Sequence, residues 1–147
     1  MRGLVTYAIV FVLTSIAGGA LFEEVGWRSF ALPRLQAQLG PLTWWHPAAG
    51  RGVDLWHLPQ YFVLPEPVAE NGGSDPASVG AFLLLVRALA PLMTWLFNES
   101  RGSVLIAILA HRSVNTGLLM VPSQLFPNTA GSLVPFALAF AVVALCC

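Results

Sequence analysis

The chain has 147 residues, 56% of them hydrophobic and 10% charged, and its seven arginines, with no lysine, balance seven acidic residues to a net charge of zero. An ordinary soluble domain carries about 25% charged residues, and disorder needs low hydrophobicity with high net charge, so both classes are excluded. Nothing in the charge balance calls for a nucleic-acid partner, and a mean hydropathy of +0.73 points to the lipid bilayer instead.

Taken in chain order, the first apolar window covers residues 4–22 and is long enough to cross about 30 Å of hydrocarbon as a helix. The alternative for this window is a signal peptide, with Arg2 as its basic start and the small residues 17–20 as a cleavage site. A polar cluster, Glu23-Glu24-Val25-Gly26-Trp27-Arg28, follows directly, and the helix that carries it is expected to run to about Gln36 if Pro33 does not break it. Residues 41–64 form a further candidate span, interrupted by His46-Pro47, Arg51-Gly52 and Asp54; such a segment must be buried in protein or line a wet cavity. Residues 65–78 hold Glu66, Glu70 and Asp75 with no arginine, and their Pro and Gly content marks a surface loop. Two strong windows come next, 79–97 and 103–121, and a short one, 132–147, reads as a tilted terminal helix or a truncated sequence. The only cysteines, Cys146 and Cys147, are adjacent and cannot staple distant segments.

These windows predict an all-α polytopic membrane helical bundle of about four to five transmembrane helices, in one domain over residues 1–147. The expected location is integral and multi-pass, in the cell (plasma) membrane. Arg28, Arg34 and Arg101 place residues 34–40 and 98–102 on the cytoplasmic side and the acidic loop outside, with Arg2 dissenting.

An ionisable group inside a hydrocarbon span costs several kcal/mol unless it is paired or hydrated, so each one needs a reason. Glu24 and Arg28 are four apart, with the acid on the N-terminal side, which favours a salt bridge along one helix face. Glu23 lies about 100° further round and is left to take up a proton as a general base. His57 sits in Val53-Asp54-Leu55-Trp56-His57, and His111 and Asn115 are again four apart on one face of their span. A rise of about 1.5 Å per residue puts Glu23, His57, His111 and Asn115 in one layer roughly 12–20 Å from the inner ends of their helices. Singly, each has a plain structural reading: an interfacial flank for the glutamates, helix–helix hydrogen bonds for His and Asn. Arg87 and Arg112 read as snorkelling or bonded to carbonyls. Together, one carboxylate, two imidazoles and an amide at one depth make a set able to activate water.

At these three clusters the sequence resembles the CPBP family of intramembrane proteases, which includes the type II CAAX prenyl endopeptidases and proteins linked to bacteriocin self-immunity. The family motifs EExxxR, FxxxH and HxxxN read here as Glu23-Glu24-x-x-x-Arg28, Val53-x-x-x-His57 with the aromatic replaced, and His111-x-x-x-Asn115. The likeness covers roughly residues 15–121, with a single apolar window ahead of the first motif where the family usually has more. It implies an intramembrane endopeptidase acting on a peptide or protein substrate in or at the membrane, prenylated or of bacteriocin type. Glu23 and His57 would activate the attacking water, His111 and Asn115 would stabilise the oxyanion, and Glu24 with Arg28 would hold the site. Glu23, His57 and His111 would also suit a catalytic zinc with an open position. The rival expectation is a non-catalytic immunity or partner-binding protein of the same fold.

Overall fold

The structure, a computed structural model, describes residues 2–17, 19–40, 47–63, 75–125 and 133–146, and every regular element among them is helical. The acidic loop expected over 65–78 falls outside the described residues up to position 74. The chain divides into two compact units, residues 1–41 with 93–127 and residues 42–92 with 128–147.

In the first unit, α1 runs Arg2–Ala17 and α2 begins at Ala20, both within the apolar stretch that starts the chain. From Ala20 the backbone is helical without a gap to Leu39: α2 (Ala20–Glu24), a π-helical stretch (Val25–Ala31) and α3 (Leu32–Leu39). The π stretch is seen in the Leu32 N–H, which bonds to the Trp27 carbonyl five residues back. Pro33 falls in the first turn of α3, where its missing N–H costs little, so it does not break the helix.

The wider turn has a packing consequence. Ala20, Glu24, Arg28 and Leu32 are all buried, one every fourth position. In a regular α-helix such residues drift by about 40° per step, and would leave one face after three steps. The π stretch takes back that drift, so the two ionised residues stay on the inward line with Ala20 and Leu32. Gly40, at φ +85, closes α3 in the left-handed region glycine tolerates, its N–H on the Gln36 carbonyl.

The last turns of α6 (Pro76–Glu99) and the whole of α7 (Val104–Leu125) complete the first unit. Between them, the Gly102 N–H reaches the Phe97 carbonyl and the Arg101 N–H the Asn98 carbonyl, with Arg101 at φ +57. This is the Schellman arrangement that ends a helix. Ser103 then caps α7. Within this unit α7 packs on α1, α2 and the π stretch.

The second unit holds α4 (Pro47–His57), the short α5 (Gln60–Val63), the larger part of α6, and α8 (Val134–Cys146). α6 starts at a strong cap: Asp75 Oδ1 accepts from the backbone N–H groups of Ala77 and Ser78, and Pro76 occupies the first helical position. Hydrogen bonds to Ser78, its hydroxyl first and its amide second, hold the exposed Asp75 carboxyl below its ordinary range. With 24 residues and a mean hydropathy of 1.8, α6 is the one helix among the described residues long and apolar enough to cross a membrane. Shorter apolar stretches lie at Gly3–Leu13, Val104–Leu118 and Val134–Leu145.

Candidate active site

The first unit gathers three of the expected residues into direct contact. Glu24 is fully buried, and its Oε1 accepts from Arg28 at 3.0 Å and from the His111 Nδ1 at 2.7 Å. The expected Glu24–Arg28 pair is therefore present, and it lies inside the protein with Arg28 only 7% exposed. His111, partly exposed on α7, is brought in by the packing of α7 on α2 and the π stretch. Glu24 Oε2 is buried without a hydrogen-bond partner among the described residues.

A carboxylate can only accept, and with Arg28 on the same oxygen Glu24 is held as the acceptor, so His111 Nδ1 carries the hydrogen. Nε2 is then the ring nitrogen left for chemistry. The partner of His111 within the motif glutamates is thus Glu24. Glu23 turns instead toward the start of its own helix, where its Oε1 lies 2.8 Å from the point a Cβ on Gly19 would occupy. Only the absence of a side chain at Gly19 lets the carboxylate rest there. Asn115 follows His111 by one turn of α7 and is also partly exposed.

His57 belongs to the second unit, as the last residue of α4. Its Nδ1 lies 2.9 Å from the Val53 carbonyl oxygen, which can only accept, so here too Nδ1 carries the hydrogen and Nε2 is the basic atom of the neutral ring. Val53, at the position where the second motif has an aromatic residue, is buried and supplies this contact through its backbone.

Arg87 corrects an expectation. Read as snorkelling or bonded to carbonyls, it instead pairs with Asp54: Nε donates to Asp54 Oδ2 at 2.7 Å, and a terminal guanidinium nitrogen reaches the same oxygen. Two lone charges of opposite sign in two apolar segments were the available signal, because hydrocarbon leaves a charge few partners but its opposite. Arg112, expected to snorkel or bond carbonyls, is 4% exposed and lies inside the chain.

Among the described residues, no three His, Cys, Asp or Glu side chains group as a metal site requires. Of the expected zinc ligands, Glu23 and His111 belong to the first unit and His57 to the second.

An apolar, all-helical chain with a buried carboxylate joining an arginine to a histidine is a membrane-type helical protein built around an internal polar site. Residues 5–117 match the family described as Type II CAAX prenyl endopeptidase Rce1-like, and the chain belongs to that family, which is membrane-integral. The chain is also 30% identical over 104 residues to the CAAX prenyl protease 2 of Methanococcus maripaludis, an alignment that covers 71% of this chain and 38% of that protein. The chain thus spans well under half the length of this relative. No solved structure matches it.

Proposed function

We propose that the protein is an intramembrane endopeptidase of CAAX type that hydrolyses peptide bonds of membrane-associated substrates, prenylated or of bacteriocin type, and that it is a multi-pass protein of the cell membrane. The observation that carries this reading is the Glu24 Oε1 atom shared by Arg28 and His111. Burying two charges is costly unless each is paired and hydrogen-bonded. Here the arrangement also orients an imidazole whose other nitrogen is available for chemistry.

In the reaction, a water attacks the scissile carbonyl carbon while Glu23, with His57, takes its proton. The new C–O bond leaves a negative oxygen, which His111 and Asn115 stabilise by hydrogen bonds. Because Nδ1–H of His111 is committed to Glu24, the ring offers a second N–H only as the imidazolium. His111 therefore serves the oxyanion as a cation beside the Glu24 carboxylate, and Arg28 keeps that carboxylate in place. Collapse of the intermediate breaks the C–N bond, and the leaving amine takes the proton held by Glu23 and His57.

Reconstitution in liposomes with a quenched-fluorescence prenylated peptide tests the proposal. Cleavage of this peptide and slower cleavage of its unprenylated counterpart are expected. Binding of the peptide without any cleavage would instead support a partner-binding or immunity role.

A further inference from the structure

The second unit contains a polar pair that the reaction above leaves unused, and it joins α4, which carries His57, to α6, whose Phe82 meets the His57 ring. Asp54 stands three residues before His57 on α4, buried at 8% exposure. Its carboxylate takes two donors from Arg87, near the middle of the apolar helix α6. Five residues earlier on α6, Phe82 meets the His57 ring edge-on, with centroids 5.4 Å apart and planes at 67°. Tyr61, just beyond α4, packs against the same Phe82 at 5.8 Å.

We propose that Asp54 and Arg87, together with Phe82, are positioning residues for His57: the ion pair fixes α4 on α6, and Phe82 holds the imidazole so that its Nδ1–H stays on the Val53 carbonyl and Nε2 stays basic. The inference rests on the reading of His57 as a water-activating group. Three features carry it. A single Asp54 oxygen accepts both guanidinium donors, which ties one rung of α4 to one rung of α6. The spacing of Asp54 and His57, three residues along one helix, puts them on neighbouring positions of one face, so the constraint on one is felt at the other. Phe82 supplies from another helix the aromatic contact that the second motif lacks at Val53.

Asp54 is buried but the Arg87 side chain is 55% exposed, and a pair so open to its surroundings adds little stability of its own. In a helix as apolar as α6, an arginine that does nothing more than join two helices is an expensive choice.

The experiment follows from that. In Arg87→Ala the Asp54 charge is left buried alone, and the variant is expected to fold poorly. The decisive variant is therefore the double Asp54→Leu/Arg87→Met, which removes both charges and keeps the volume. The protein has three histidines, so the 15N ring signals of His57 in nanodiscs are assignable from His57→Gln. The parent is expected to show the Nδ1–H form of the ring, and the double variant and Phe82→Leu a mixture of both tautomers. In peptide cleavage, the same two variants should lose at least tenfold in kcat with KM within about twofold, and Arg87→Lys should recover part of the loss. An Nε2–H ring in the parent, or a folded double variant with the parent's tautomer and kcat, overturns the proposal. A parent that cleaves nothing defeats the enzymatic reading alone, because the ring signals still decide whether the pair positions His57.

Discussion

Removing the Glu24 carboxylate should damage stability and activity by separable routes. In Glu24→Leu the Arg28 guanidinium, 7% exposed, loses its carboxylate partner inside the protein, and His111 loses the acceptor of its Nδ1–H. Breaking a buried pair from one side costs about 3–5 kcal/mol. In a chain of this length that lowers Tm on the order of 10 °C. Removing both charges in Glu24→Leu/Arg28→Met should recover most of the loss, since the uncompensated ion is gone. Cleavage should stay near background in both, because neither restores the acceptor that orients His111. The five tryptophans report unfolding in detergent, and single and double variants complete a thermodynamic cycle. If Glu24→Leu melts within about 2 °C of the parent, well inside the cost cited above, or if the cycle shows no coupling, the site is not built around this carboxylate.

Three further outcomes follow. Gly19→Ala should fold as the parent does but lose most of its kcat, because a Cβ there meets only the flexible end of Glu23 and moves that carboxylate away; unchanged kcat would remove Gly19 from the account. Asp75→Ala should lower Tm near neutral pH, and the difference should shrink in acid. The folded carboxyl titrates below its ordinary value, so its contribution is complete above about pH 4 and is lost as pH falls through the lower, folded value; a pH-independent difference would contradict the cap. Dialysis against a chelator should leave cleavage intact, since proton abstraction from water by Glu23 with His57 needs no Lewis acid; a tightly held equivalent of zinc, lost in His57→Ala and His111→Ala, would show ligation instead.

Much of the local structure could be read from the residues. The window 79–97 falls within α6 and 103–121, apart from the capping Ser103, within α7, and the spacing of Glu24 and Arg28 foretold their salt bridge, because both depend on neighbours along one helix. Contacts between distant residues were harder. His111 meets Glu24 across 87 positions and Arg87 meets Asp54 across 33, and no periodicity reports which charges will be folded together. The π stretch was hidden for another reason. It shifts the helix by a fraction of a turn, too little to disturb an apolar pattern but enough to keep Glu24 and Arg28 buried on one line with Leu32.

Oxygen-isotope labelling of the product tests the central claim most directly. With the reconstituted protein, a prenylated peptide and H2(18)O, the account predicts solvent oxygen in the newly formed carboxyl group. It predicts loss of that product in Glu23→Gln, and in His111→Ala under conditions where both variants remain folded. Parent-level labelling in Glu23→Gln, or a parent that forms no product, would contradict it.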